Sequence, residues 1–241
     1  MSLRIDKLLA NMGFGTRKEV KKLLKSGTVK INGTIVKDPK TQVNPAEQTV
    51  TVWGEEVQYK EFIYLMMNKP PGVISATEDH VHETVIDLLE EEDRVFEPFP
   101  VGRLDKDTEG LLLLTNDGQL AHQLLSPKKH VPKTYFAVID GEVTKEDVEA
   151  FRNGIVLDDG YETMPAELTI LKSGIRSDIE ITIMEGKFHQ VKRMFQAVHK
   201  RVVYLKRIKM GPLMLDEALE PGEYRELTEE EIELLKSVHQ K

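Results

Sequence analysis

The sequence contains no cysteine and no long run of apolar residues. Without cysteine, the protein cannot form disulfides, bind a metal through thiolates or use a thiol nucleophile. A membrane-spanning helix needs about 20 mostly apolar residues, and neither such a run nor an apolar signal-type segment after Met1 is present. We therefore expect a cytoplasmic protein that does not enter a membrane.

The sequence also lacks a net positive charge, because its formal charge is −8. That value excludes an indiscriminate polyanion binder, whose affinity comes from Lys and Arg paired with phosphates. The charge is nevertheless uneven, since residues 1–59 carry ten basic and six acidic side chains. Residues 186–215 carry eight basic side chains and no acidic one. Two local basic surfaces on an acidic protein are therefore predicted.

The first 36 residues alternate between helix and hairpin patterns. Ile5, Leu8, Leu9 and Met12 fall on one side of a short helix. The segment 16–19 then has the spacing of a capping box, which predicts a second helix with a lysine-rich outer face. The Asn-Gly pair at 32–33 lies between alternating residues and predicts a tight hairpin. A solvated cationic helix would be the ordinary interpretation of this pattern.

This arrangement resembles the alpha-L RNA-binding domain of a small-subunit ribosomal protein. The resemblance rests on RIDKLL at 4–9, GTRKEV at 15–20 and GTVKING at 27–33. It implies that the second helix and the loop before it contact RNA. The implied contact residues are Thr16, Arg17, Lys18 and Lys22.

A polar stretch at 54–61 follows a strand-like run at 50–52 and is the predicted linker. We therefore expect domains at 1–59 and 60–241. The second domain has more strand-like runs than helical stretches, which favours an α+β fold around a mostly antiparallel sheet. The predicted strands are 62–67, 111–115, 134–139, 166–171, 178–184 and 202–208, and the predicted helices are 118–125, 145–153 and 189–199.

A loop with three acidic residues leads directly into a run of four leucines at 111–114. Such a run must be buried, and a loop tied to a buried strand is a common location for catalytic groups. Asp105, Asp107 and Glu109 are the three candidates, but loop acids more often cap turns or face solvent. Position alone does not choose among them.

Four motifs in order resemble the RsuA family of pseudouridine synthases and together span 64–211. They are NKPPG at 68–72, GRLDKDTEGLLLLTNDG at 102–118, KTY at 133–135 and EGKFHQVKRMF at 185–195. The resemblance implies that Asp105, the aspartate of the Arg-Leu-Asp motif, is catalytic. It also implies an enzyme that converts a flipped-out uridine of ribosomal RNA to pseudouridine.

Further roles follow from the same resemblance. Tyr135 would stack on the extruded uracil or act as a base at C5, although a strand-core residue is the ordinary alternative. Lys192 or Arg193 would supply the cation beside Asp105, because a buried carboxylate needs one to stay ionised. The sequence does not choose between these two neighbours. The implied substrate-binding residues are Arg103, Leu205, Lys69, Lys133, His189 and Gln190.

The implied reaction breaks one C–N bond and forms one C–C bond without redox change, so we expect no cofactor. His189 and His199 do not have a metal-ligand spacing, so we expect no metal. The carboxylate could trap or stabilise an oxocarbenium-like sugar, or remove a sugar proton to give a glycal. We expect a monomer whose partner is ribosomal RNA or a ribosomal assembly intermediate.

Three alternatives remain open. A glycoside hydrolase would need a second carboxyl group at a defined distance and would leave the RNA-binding unit unexplained. A non-catalytic, rRNA-binding assembly factor would not need Asp105. A large-subunit rRNA synthase of the same group is the nearest alternative, although the string at 187–195 resembles the small-subunit type more.

Overall fold

A computed structural model describes residues 2–238, which divide into two units. The first unit runs to Ile63 and also includes Leu89–Pro98, while the second comprises Tyr64–Leu88 and the chain from Phe99 onward. Placing 89–98 in the first unit was not predicted from the sequence. No helix within 2–238 combines the length and apolar character needed to cross a membrane.

The first unit contains three helices and several short strands within the described residues. Its elements are β1 (Leu3–Arg4), α1 (Ile5–Asn11), α2 (Arg17–Lys25), β2 (Val29–Ile31), β3 (Thr34–Ile35), β4 (Gln42–Val43), β5 (Val50–Val52), β6 (Glu55–Glu56) and α3 (Glu91–Arg94). The strands β3-β2-β5-β6 form one antiparallel sheet, and β1 pairs with β4. The predicted linker at 54–61 thus contributes β6, a short strand paired with β5.

Local chemistry explains where α2 begins and where the hairpin turns. The Thr16 side chain accepts a hydrogen bond from Glu19 N, and Glu19 accepts one from Thr16 N at 2.7 Å, so the predicted capping box is present. Such a cap stabilises a helix by about 1 kcal/mol. Asn32 and Gly33 both have positive φ, as the predicted hairpin turn requires.

The second unit is built on a large sheet. Its strands are β7 (Tyr64–Lys69), β8 (Phe99–Pro100), β9 (Glu109–Thr115), β10 (Lys133–Asp140), β11 (Glu167–Lys172), β12 (Arg176–Ile183), β13 (Arg201–Met210), β14 (Leu213–Met214) and β15 (Tyr224–Glu226). Its helices are α4 (Gly118–Leu125), α5 (Lys145–Asn153), α6 (Gln190–Ala197) and α7 (Glu229–Ser237), with a 3₁₀ turn at Pro127–Lys129.

Within the described residues, the strand order of this sheet is β11-β12-β10-β13-β9-β7-β15, with β14 beside β13 and β8 beside β9. Neighbours are antiparallel except β9 and β13, which are parallel. The α+β fold with a mostly antiparallel sheet is therefore confirmed. The predicted strands and helices of this unit are all present, with ends shifted by a few residues.

The parallel pair β9–β13 places two distant segments in close contact. Gly110 pairs with Arg207, and a Cβ at position 110 would lie 2.3 Å from the Arg207 carbonyl oxygen. Only glycine fits this close approach, and the positive φ of Gly110 also favours glycine. The end of the acidic loop is therefore fixed beside β13.

Candidate active site

The loop that carries Asp105 connects β8 to β9, and hydrogen bonds from a preceding segment hold its backbone in place. Ser75 Oγ donates to Leu104 O and accepts from Leu104 N, both at 3.1 Å. Gly72 N donates to Lys106 O at 2.7 Å, and Thr108 N donates to Asp105 O at 3.0 Å. The motif at 68–72 therefore contributes to the site by fixing the backbone around Asp105.

Lys69 lies beneath the same loop and is completely buried. Its Nζ donates to Thr108 O and Pro70 O at 2.9 Å and to Lys106 O at 3.3 Å. Burial lowers the pKa of Lys69 to about 8, although the charge of Asp107 acts in the opposite direction. These contacts fix the backbone of the loop that carries Asp105. The substrate-binding role that the resemblance implies for Lys69 stays a prediction.

The Asp105 carboxylate lies close to two side chains of the fourth motif. Lys192 Nζ is 3.0 Å from Asp105 Oδ2, and His189 Nε2 is 3.5 Å from Asp105 Oδ1. Lys192 also contacts Asp107 Oδ1 at 2.6 Å. The Asp105 side chain is 27% exposed, whereas that of Asp107 is 73% exposed. Of these two acids, Asp105 is the one enclosed by the site.

The contacts of Lys192 determine its charge. Burial lowers the pKa of Lys192, but hydrogen bonds to Asp107 and Asp105 outweigh burial, so the pKa lies above its ordinary value. Burial raises the pKa of Asp107, but the hydrogen bond from Lys192 outweighs it and the pKa is lowered. Lys192 is therefore a permanent cation beside Asp105 at neutral pH.

Arg193 points to different partners. Its guanidinium pairs with Asp158 and, at 2.7 Å, with Asp159. Consecutive residues on a helix diverge by about 100°, so only one of Lys192 and Arg193 can face the loop. The structure thus answers the question that the sequence left open: Lys192 contacts Asp105, and Arg193 does not. The contacts therefore favour Lys192 over Arg193 as the cation that accompanies Asp105.

Two more residues of this motif have distinct environments. His189 has a positive φ of 47°, and its ring stacks on Phe188 with centroids 3.8 Å apart. Phe188 is 75% exposed, which makes it an unpredicted candidate for contact with a base. Gln190 is buried. Its Nε2 donates to Glu185 Oε1 and its Oε1 accepts from Lys187 N, both at 2.9 Å, so these contacts stabilise the turn before α6.

A small cavity of about 70 Å³ opens beside Asp105. Tyr135 and Leu205 form part of its wall and are both buried. Arg103, which is exposed, lies at the same cavity. The predicted acid, aromatic ring, apolar residue and cation are therefore brought together around one cavity, with His189 beside them.

A second cavity of about 290 Å³ shares Arg103, Tyr135 and Lys187 with the first. Lys133 lies on its wall, and its Nζ donates to Val131 O at 2.9 Å. Arg207 also lines this cavity and was not predicted. The sequence could have indicated Arg207, because side chains two residues apart on a strand share a face and Leu205 was already expected at the site.

The predicted RNA-contact residues of the first unit lie on α2 or immediately before it. Arg17, Lys18 and Lys22 are exposed. Thr16 is also exposed, and its hydroxyl is engaged with Glu19 in the helix cap. The three cations are thus available to a ligand.

The described residues contain no group of three or more His, Cys, Asp or Glu that could hold a metal ion. The groups that line the cavity include a carboxylate beside a cation and an aromatic ring. The carboxylate can stabilise a positively charged sugar carbon or form a covalent bond to it. The aromatic ring can stack on a planar base.

Comparisons with known proteins match both units. A family model described as RNA pseudouridylate synthase matches residues 63–197, and an S4 domain model matches residues 3–48. An uncharacterised RNA pseudouridine synthase of Bacillus subtilis (strain 168) is 59% identical over 234 residues, which cover 97% of this chain and 98% of the relative.

Other relatives have more specific descriptions. A ribosomal small subunit pseudouridine synthase A of Vibrio cholerae is 41% identical, covering 95% of this chain and 98% of that protein. A crystal structure described as that of a pseudouridylate synthase is 40% identical and has a TM-score of 0.68. It covers 97% of this chain and 99% of that one.

Proposed function

We propose, because this chain belongs to the RNA pseudouridylate synthase family, that it isomerises one uridine of small-subunit ribosomal RNA and uses Asp105 as the catalytic group. The family assignment and the S4 match make it an RNA-modifying isomerase. The small-subunit target is supported by relatives about 40% identical over nearly the whole chain that have this description. We place the reaction in the cytoplasm, where ribosomal RNA is processed.

The observation that carries the catalytic proposal is the ion pair between Asp105 and Lys192 at the cavity that Tyr135 lines. Isomerisation breaks the C1′–N1 bond, turns the uracil and forms the C1′–C5 bond, after which C5 loses a proton and N1 carries one. The Asp105 carboxylate either bonds to or stabilises C1′, or removes a sugar proton to start a glycal route. Lys192 holds the carboxylate in place for either route.

The other residues of the cavity fit binding of an extruded nucleotide. Enzymes that act on a base inside RNA must take it out of its stack and hold it between apolar or aromatic side chains. Tyr135 and Leu205 provide such walls, and we assign Arg103 to the phosphates or ribose near the target. One chain supplies all of these groups, so we propose that the enzyme acts as a monomer.

Family membership disfavours one alternative, and the other needs an experiment. A non-catalytic assembly factor does not explain membership of an enzyme family together with an intact Asp105. A large-subunit target differs only in the RNA, so the target must be tested in cells. Chemical mapping of pseudouridine in ribosomal RNA from cells lacking the protein is expected to show loss at one small-subunit position.

Re-expression separates the target from the chemistry. The wild-type chain should restore the missing pseudouridine, and the Asp105→Asn variant should not. Loss at a large-subunit position instead would overturn the small-subunit assignment and leave the enzyme class intact. Treatment of purified small-subunit transcript and of precursor particles with the protein shows which one is the substrate.

The cations on α2 are expected to contribute to RNA affinity by neutralising phosphates. Replacing Arg17, Lys18 and Lys22 with glutamine should weaken binding of ribosomal RNA and flatten its salt dependence. The slope of log K against log salt changes by about 0.7 to 0.9 for each phosphate that the protein no longer neutralises. Filter binding at several salt concentrations measures both effects.

A matched control removes three exposed cations from the second unit, Lys145, Lys172 and Arg176. This variant has the same change in net charge, and its salt slope should stay near that of the wild type. Equal slopes in all three proteins would show that α2 is only a solvated surface.

A further inference from the structure

The second cavity has a charge that the proposed reaction does not explain. Its wall contains the basic side chains Arg103, Lys133, Lys187 and Arg207, together with His130. Glu185 is the acidic residue on this wall, and its carboxylate already accepts hydrogen bonds from Tyr161 Oη, Met164 N and Gln190 Nε2. The basic side chains of this wall therefore outnumber the acidic ones by four to one.

Arg207 is the least expected of these cations, because it is only 2% exposed. Its Nε donates to Leu111 O at 2.8 Å, but its Nη2 has no hydrogen-bond partner among the described residues. Burying a charged group without full pairing is costly, and such groups in proteins are normally paired with an opposite charge or a ligand. Nη2 itself has almost no exposed surface, so an anion would balance the charge of Arg207 from the cavity that this side chain lines.

Lys133 lies on the same wall and increases this imbalance. Burial, and then the nearby charge of Arg207, lower the pKa of Lys133 to about 8. The Nζ of Lys133 has only the Val131 carbonyl as its hydrogen-bond partner in the described structure. Two largely desolvated cations that act on each other are an arrangement that an anion stabilises.

Position identifies which anion fits. The second cavity shares Arg103, Tyr135, Gly186 and Lys187 with the cavity beside Asp105. A nucleotide adjoining the one at Asp105 would therefore reach it through a continuous backbone. The remaining wall includes Met164, which suits the apolar part of a nucleoside.

We propose that the second cavity binds the backbone phosphate next to the target uridine, with Arg207 and Lys133 as its partners. This inference rests on the proposed function, since it takes RNA as the substrate. It adds a subsite that fixes the flanking nucleotide and so places the target sugar against Asp105. Arg207 and Lys133 line this cavity and do not line the cavity beside Asp105.

Binding to a short RNA tests the proposal. Each RNA contains the uridine identified by mapping, whichever ribosomal subunit it belongs to. One RNA has native phosphates, and each of two neutral RNAs has a methylphosphonate on one side of that uridine, either 5′ or 3′. Using the Asp105→Asn background keeps binding separate from chemistry. Arg207→Gln is expected to weaken binding of the native RNA about tenfold, as is typical for loss of a charged hydrogen bond.

The neutral linkage provides the decisive comparison. Once the bound phosphate is neutral, Arg207→Gln should have little further effect, because the two changes remove the same interaction. Equal weakening with native and both neutral RNAs would overturn the proposal and leave Arg207 a structural role. Lys133→Gln is a second variant for the case in which Arg207→Gln does not fold, with the same expected pattern.

Two controls complete the design. Lys209→Gln removes a charge from the same strand outside either cavity wall and should not change affinity by more than about twofold. Inorganic phosphate replaces RNA in a thermal-shift measurement. A shift that needs Arg207, combined with no effect of the neutral linkages, would mean that the cavity takes free phosphate and would overturn the RNA assignment.

Failure of the proposed function gives a different pattern. If Asp105 is not the catalytic group, the Asp105→Asn protein forms pseudouridine in the same RNA, while the comparison of native and neutral linkages remains valid. If the small-subunit assignment is wrong, the test RNA contains a uridine from another RNA, and the native and neutral linkages are compared in the same way.

Discussion

Replacing Asp105 with asparagine is expected to abolish pseudouridine formation while the protein stays folded. The amide has nearly the same shape but neither the charge nor the nucleophilic oxygen that the reaction at C1′ requires. Loss of a nucleophilic side chain typically lowers turnover by 10³-fold or more, so we expect at least about that decrease. Tritium release from C5-labelled ribosomal RNA measures it directly.

The structure also predicts that this variant remains stable. Lys192 keeps its 2.6 Å contact with Asp107, so the substitution does not leave a cation without a partner. We expect its Tm to stay within about 4 °C of the wild type, which corresponds to a change near 1 kcal/mol or less. RNA binding should be retained for the same reason.

Asp107→Asn is the matched control, because Asp107 has the same side chain, lies two residues away and contacts the same lysine. Its carboxylate is mostly exposed, so we expect turnover to fall less than about tenfold. Measurable turnover by Asp105→Asn, or its loss only in Asp107→Asn, would show that the wrong carboxylate was assigned.

Short-range patterns predicted much of the fold. The capping box at Thr16 and the Asn32-Gly33 turn each describe interactions between residues close in sequence. Such interactions depend on backbone geometry that local sequence specifies directly. The helix α7 has the same capping pattern between Thr228 and Glu231 and could have been predicted in the same way.

Long-range packing limited what could be predicted of the candidate site. Motif order indicated Asp105, but the partner of Asp105 depends on how α6 is rotated against a loop 87 residues away. Likewise, Lys69 belongs to a family motif, yet only the path of the loop above it shows that it is buried. Arg207 belongs to a basic stretch that suggested a surface, whereas pairing of β13 with β9 and β10 encloses it.

Removing the Lys192 side chain is expected to have the second-largest effect on the reaction. Lys192→Ala leaves the Asp105 carboxylate without its 3.0 Å cation and without the hydrogen bond that fixes its orientation. Loss of a preorganised donor typically lowers kcat by 10² to 10³, and we expect a decrease of about 10²-fold. Single-turnover kinetics on ribosomal RNA separate this effect from any change in binding.

The charge and the position of Lys192 can be tested separately. Ethylammonium added to Lys192→Ala should restore part of kcat by placing a cation near Asp105, whereas ethanol at the same concentration should not. Lys192→Arg keeps the charge and should lose less activity than Lys192→Ala. A purely structural role would give no rescue by ethylammonium.

Arg193→Ala is the control that decides between the two neighbouring cations. Its guanidinium pairs with Asp158 and Asp159, away from Asp105, so kcat should stay within about threefold of the wild type. The opposite result, a large loss of kcat in Arg193→Ala with little change in Lys192→Ala, would contradict the observed orientation of α6. Lys192 Nζ contacts the carboxylates of both Asp105 and Asp107, so Lys192 links α6 to the loop. Catalysis should therefore depend on that link more than on the charge of the basic stretch as a whole.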